Sequence, residues 1–140
     1  MKTFVLATCL LVFVQIIYAV DDKQINIMRN NLKECIKTVP KGVNDPKNPI
    51  KNANVWYCAL TKHGIFTPQG VNVKKGLKTC EDIVVNPADV KRCKEIMLDC
   101  KKKAYARPGS IIEKNRSITS CGINEGAVEL TVFSKEKWNK

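Results

Sequence analysis

The sequence has a single histidine, His63, in 140 residues. No nucleophile-elbow pattern, paired-carboxylate motif or phosphate-cradling glycine loop accompanies it, so the usual parts for proton, acyl or phosphoryl transfer are missing and an enzyme is not expected. Neither a calcium loop nor a neighbouring aspartate adjoins His63, which excludes the machinery of a calcium-dependent phospholipase. It is expected at a helix end, next to Gly64, interacting with the helix dipole. There is no C-x-x-C pair, and a lone histidine offers no zinc-like spacing, so neither a metal nor a cofactor is expected. After residue 20 no apolar run approaches the roughly 20 residues that a membrane span needs. Acidic residues are also scarce, 13 Asp and Glu against 24 Lys and Arg, for a net charge of +11. Such a surplus favours acidic partners or anionic surfaces, or serves solubility alone. The lysines are dispersed, with Lys74-Lys75 and Lys101-Lys102-Lys103 the only tight runs. Solvated helix faces are therefore the expectation, and nucleic acid is not an expected partner.

The first twenty residues carry what the rest lacks. Lys2 supplies a short positive start, and Phe4 to Ile17 are apolar apart from Thr8, Cys9 and Gln15. Ala19 then precedes Asp21-Asp22. This is the pattern of a secretory signal peptide over residues 1–19, cleaved after Ala19. Residues 20–140 are then expected to form one domain, large enough to bury about two thirds of its unfolded surface. Removal of Lys2 lowers the net charge to +10. Removal of Cys9 leaves six cysteines in an oxidising compartment, which implies three disulfides.

Apolar spacing beyond the leader is helical. Ile25, Met28, Leu32, Cys35, Ile36 and Val39 recur at steps of three and four, Asp21 or Asp22 can cap the start, and Pro40 ends the segment. An irregular loop is expected from Lys41 to about Lys51. A short, apolar helix follows over Asn54 to His63, closed by Gly64 in the left-handed conformation, and Thr67-Pro68 opens another turn. The next helix spans about Val71 to Val84, with Val73, Leu77, Cys80 and Val84 on one stripe. Asn86-Pro87-Ala88-Asp89 is a strong helix start; Val90, Cys93, Met97, Cys100 and Ala104 follow on one face, and Arg107-Pro108-Gly109 breaks the run. Segments over about Ser110 to Ile123 and Ala127 to Trp138 complete an all-α bundle of five to seven helices. Weak strand alternation near Val128 to Phe133 competes with the last of these.

Helix geometry limits the fifteen pairings that six cysteines allow. Cys93 and Cys100 lie seven residues apart on one helix, about 10 Å by axial rise, beyond the reach of a disulfide. Each must reach a neighbouring helix. The expected set is Cys35–Cys58, Cys80–Cys100 and Cys93–Cys121.

The leader Met1-Lys2-Thr3-Phe4-Val5-Leu6-Ala7-Thr8-Cys9-Leu10-Leu11 and the blocks Val55-Trp56-Tyr57-Cys58-Ala59 and Asn86-Pro87-Ala88-Asp89-Val90-Lys91-Arg92-Cys93-Lys94 resemble the fire-ant venom allergens of groups two and four. The tail Glu129-Leu130-Thr131-Val132 fits as well, and the likeness is greater to group four. It covers essentially the whole chain with cysteines in register. The resemblance implies a helical fold distantly like insect odorant- and pheromone-binding proteins, with a small apolar cavity, secretion into venom and recognition by human IgE. Two departures stand out. The odorant-binding signature of two cysteines separated by three residues is absent. Group two members also carry an extra cysteine after the first helix where this chain has Gly42, so a monomer or non-covalent dimer is expected.

A carrier of small hydrophobic ligands, of the pheromone or semiochemical class, needs side chains that line a cavity without filling it. The candidates are Met28, Leu32, Trp56, Leu60, Leu77, Met97 and Ile112, of which methionine adapts its shape and tryptophan offers a flat wall. Ordinary core packing is the competing role for each. The alternative function is a cationic membrane-active protein, but three disulfides would fix the apolar stripes inward, away from lipid. Stable membrane insertion is not expected. Asn115-Arg116-Ser117 is a candidate N-glycosylation site within a predicted helix.

Overall fold

A computed structural model describes residues 21–40 and 48–138. The expected leader, its cleavage after Ala19, and Gly42 lie outside them. Helix α1 spans Asp22–Thr38 and buries Ile25, Met28, Leu32 and Cys35, the stripe that its spacing predicts. Asp21 is the cap: its carboxylate accepts from the N–H groups of Lys23 and Gln24 at 3.0 and 3.3 Å. A 3₁₀ turn at Pro49–Lys51 leads into α2, Ala53–Lys62, capped by Asn52. Gly64, at φ +79°, supplies the left-handed residue that closes it.

Phe66–Thr67 (β1) pairs antiparallel with Gly70–Val71 (β2), with Phe66 opposite Val71. At two residues a side the hairpin is too short to show alternation, and only the turn at Thr67-Pro68 was predictable. Helix α3 covers Val73–Ile83, and α4 covers Pro87–Tyr105. Asn86 opens α4 by accepting from the Ala88 N–H at 3.0 Å. Helix α5, Ile111–Asn124, begins with a reciprocal capping box between Ser110 and Glu113. The hydrogen bonds from Ser110 hold the Glu113 carboxyl below the usual carboxylate range.

Gly126, at φ +83°, turns the chain into α6, Ala127–Leu130, followed by a 3₁₀ turn at Val132–Lys135. The alternation at Val128 to Phe133 is therefore not a strand. Val128, Thr131 and Phe133 are the buried positions, a spacing of three then two that fits helical turns. The chain is an all-α bundle of six α-helices among the described residues.

All six cysteines among the described residues are paired, but not all with the expected partners. Cys35 is bonded to Cys58, joining α1 to α2. The other two bonds are Cys80–Cys93 and Cys100–Cys121, not Cys80–Cys100 and Cys93–Cys121. Turn geometry explains the difference. Cys80 lies near the end of α3 and Cys93 near the start of α4, so both flank the short connection at residues 84–86. Cys100 stands about 10 Å further along α4, toward α5. Each cysteine bonds at its own end of the hairpin, with Cα separations of 5.9 and 5.7 Å.

Two apolar clusters share the interior. One gathers Met28, Leu32, Trp56, Ile83 and Phe133 between α1, α2, α3 and the C-terminal turns. The other gathers Ile65, Phe66, Ile96, Ala104 and Ile118 between the hairpin, α4 and α5. Leu60 and Leu130 pack against both.

Candidate functional site

A cavity of about 120 Å³ lies along the seam between the two clusters. Trp56 and Leu60 of α2 form one wall, and Cys80, Ile83, Cys93, Ile96 and Met97 of α3 and α4 form another. Ile118 of α5 and Val128 of α6 help close it. No Asp, Glu, Lys, Arg or His lines it; the polar side chains there are Thr79, Thr119 and Thr131. Their hydroxyls donate to the carbonyls of Lys75, Asn115 and Val128 at 2.8, 3.1 and 2.8 Å. The Trp56 indole N–H is likewise engaged, by the Ile50 carbonyl at 2.6 Å. Each wall donor is thus already used within the protein, leaving an interior that favours uncharged, apolar matter.

Gly76 and Met97 set the depth of this space. A Cβ placed on Gly76 would stand 2.0 Å from Met97 Cε and 2.5 Å from its Sδ, so the thioether occupies room that only glycine leaves. A mid-helix glycine costs about 1 kcal/mol relative to alanine, and here close packing accounts for it.

The sequence candidates divide. Trp56, Leu60 and Met97 come together in the cavity wall. Met28 and Leu32 are fully buried on α1 within the first cluster, and they do not line the cavity. Leu77 is half-buried, because the inward face of α3 is Gly76, Thr79, Cys80 and Ile83. Ile112, expected on an inward stripe, is 58% exposed in the first turn of α5. Gly76, Ile83, Ile96 and Ile118 were missed as wall residues. Ile96 sits three residues from Cys93 and four from Cys100, so the helical period alone could have found it.

Asn115, the glycosylation candidate, is only 2% exposed. Its side-chain amide donates to the Thr67 carbonyl at 3.5 Å, and its Oδ1 has no protein partner. In the folded chain this side chain is enclosed, not presented to solvent.

His63 follows the last residue of α2 as its C-terminal cap and is 8% exposed. Burial, then the nearby Lys75 ammonium, pushes its proton affinity below the ordinary imidazole value, against a weaker pull from Asp82. Burial therefore favours the neutral imidazole over a charged imidazolium at the helix end. Well above about pH 6.5 the imidazole is neutral in both the folded and the unfolded chain. Below that pH the unfolded chain takes up the proton first, so stability falls until the folded value is reached. Denaturant titration is expected to show a larger loss between about pH 7.5 and pH 5.5 for the parent than for His63→Gln; equal losses would contradict this assignment.

Among the described residues, no group of three or more His, Cys, Asp or Glu is placed to hold a metal ion, and no helix is long and apolar enough to cross a membrane.

A family model described as the ant venom allergen Sol i 2 family matches residues 34–126. Venom allergen 4 of Solenopsis geminata is 58% identical over 137 residues, covering 98% of this chain and all of that protein. Venom allergen 4 of Solenopsis invicta is 58% identical with the same coverage. Venom allergen 2 of Solenopsis saevissima is 42% identical over 139 residues, again covering 98% of this chain and all of the relative.

Proposed function

The chain belongs to the ant venom allergen Sol i 2 family, and on that premise we propose that it is a non-enzymatic carrier of small, uncharged hydrophobic molecules. Venom allergens are secreted, and this chain is a secreted venom protein. Recognition by human IgE, proposed with it, would follow from exposure to an immune system and requires no device in the molecule. The observation that carries the reading is the cavity wall, which bears no charged side chain and whose three threonine hydroxyls are turned back onto nearby backbone carbonyls.

Size narrows the ligand class. An apolar cavity of about 150 Å³ accepts benzene, so a space of about 120 Å³ suits a ring or a short branched alkyl group. A longer ligand requires Met97 to move, and methionine has the rotatable bonds to do so. Semiochemicals of low polarity fit this description.

Displacement of a fluorescent apolar probe tests the proposal. One equivalent of probe is expected to bind and to be released by small hydrocarbons but not by carboxylates of similar size. Gly76→Ala is expected to separate binding from stability. The new methyl drives the Met97 thioether into the cavity, so probe affinity should fall about tenfold or more. Stability should change by less than about 1 kcal/mol, because the helix gain offsets the repacking. Unaltered probe affinity in this variant would place the probe elsewhere and sink the proposal.

A further inference from the structure

At the loop end of the α4–α5 hairpin, cations gather around an exposed aromatic ring. Tyr105, the last residue of α4, is 36% exposed. Lys101 Nζ lies 5.4 Å from its ring centroid, and Lys114 Nζ lies 5.2 Å from it. Lys101 is one turn back on α4 and Lys114 is near the start of α5, so two helices direct ammonium groups at one ring. The ring's electron-rich faces favour both, and this holds two like charges close together.

Lys102 and Arg107 are exposed beside them. Among the described residues, none of Lys101, Lys102, Arg107 and Lys114 has an ion-pair partner. The nearby acids are engaged: Asp99 by Lys103 at 2.6 Å, and Glu113 in the Ser110 capping box. Elsewhere Arg29, Lys51, Lys62, Lys78, Arg92 and Lys94 each meet a carboxylate, while lysines unpaired among the described residues, such as Lys33 and Lys91, stand on other faces. What sets this end apart is that unpaired ammonium groups from two helices meet at one ring. The positive charge of this end is thus left for an external partner. Ile112, 58% exposed in the first turn of α5, adds an apolar side chain at the same end.

We propose that this end of the hairpin is a docking surface for anionic lipid headgroups. Lys101, Lys102, Arg107 and Lys114 meet the headgroup charges, while Tyr105 and Ile112 sit at the boundary with the acyl chains. Cations flanking exposed tyrosine and isoleucine make the pattern of interfacial binding; a water-soluble polyanion would leave Ile112 wet. Since no described helix can cross a membrane, the association is peripheral. It is independent of the cavity.

Cosedimentation of the disulfide-intact chain with vesicles tests this. Binding is expected to vesicles with about one third phosphatidylserine and not to phosphatidylcholine alone, weakening steeply as added salt shortens the Debye length to about 10 Å and below. K101E/K114E should lower the affinity about thirtyfold or more. K33E/K91E, an equal charge change at exposed positions on α1 and near the opposite end of α4, should lower it by no more than about threefold. Ile112→Ser should weaken vesicle binding about fivefold and leave retention on heparin unaltered. Circular dichroism confirms that each variant is folded. Equal losses in the two charge-reversed variants would mean diffuse attraction and overturn the proposal. Absence of vesicle binding, with or without heparin binding, overturns it too, as does an Ile112→Ser variant that binds vesicles like the parent.

Discussion

Replacing Phe133 with alanine is expected to remove about 3–5 kcal/mol of stability, the range for deleting a fully buried aromatic side chain. Phe133 has no exposed surface, although it lies in a short 3₁₀ turn near the C-terminus. Three neighbours enclose it. The Trp56 ring is 6.3 Å away, the Trp138 ring meets it edge-on at 6.1 Å, and the Arg29 guanidinium stands 5.8 Å from its centroid. That guanidinium also donates three hydrogen bonds to Glu136, Nε to Oε1 and Oε2 at 3.1 and 3.0 Å and Nη2 to Oε1 at 2.7 Å. The carboxylate raises the proton affinity of Arg29 further above its already high value. A four-residue turn cannot hold itself together, so Phe133 is what docks the C-terminal segment on α1 and α2. In a chain of this size the loss corresponds to a melting temperature lower by about 10–20 °C, and thermal denaturation followed by circular dichroism measures it. A shift under about 3 °C would mean that the segment contributes nothing to the fold. Phe133→Leu keeps most of the volume and is expected to cost about 1 kcal/mol.

Removing a disulfide is the second large effect, and the choice of bond separates stability from binding. Cys35 and Cys58 are 23 residues apart, Cys80 and Cys93 are 13 apart, and Cys100 and Cys121 are 21 apart. Loops of these sizes restrict the unfolded chain by about 3 kcal/mol each in the chain-entropy view. Replacing both cysteines of either Cys35–Cys58 or Cys80–Cys93 by alanine is therefore expected to cost a similar amount in denaturant titration. Ligand binding should respond differently. Cys80 and Cys93 line the cavity, whereas Cys35 and Cys58 do not. The Cys80→Ala/Cys93→Ala pair enlarges the cavity and loosens the α3–α4 wall, so probe affinity should change several-fold. The Cys35→Ala/Cys58→Ala pair should leave it near the parent value at temperatures where both are folded. Loss of binding from the second pair alone would place the site between α1 and α2 instead. Peptide mapping under non-reducing conditions should find Cys80 linked to Cys93 and Cys100 linked to Cys121.

What the sequence revealed of this fold was mostly local. Helix starts were readable because capping chemistry is written in one or two residues, as at Asn86-Pro87 and Asp21. Helix stripes were readable because Ile25, Met28, Leu32 and Cys35 repeat at the helical period. Gly64 announced the end of α2 in the same way. Pairing of the thiols was less accessible, since it depends on which end of α4 lies beside which neighbour, and stripes carry no such information. The cavity was half legible. Trp56, Leu60 and Met97 could be picked as large inward residues, but Met28 and Leu32, equally inward, pack solidly against α2 and the C-terminal turns. Whether an inward residue meets a neighbour or a void depends on how two clusters fail to join. Gly76 shows the limit best, since the wall at that point is made by an absent side chain. The C-terminal turns were read as helix with a weak strand alternative, because Val, Thr and Phe favour strands while burial there follows helical turns.

The most direct test of the carrier assignment is methyl NMR of the disulfide-intact chain, titrated with a benzene-sized hydrocarbon. Saturable shifts are expected at the methyl groups of Met97, Ile83, Ile96 and Ile118, all in the cavity wall, with Ile27 and Ile112 on the surface unmoved. Shifts that never saturate, or that appear first at Ile112 and Ile27, would contradict an internal ligand site.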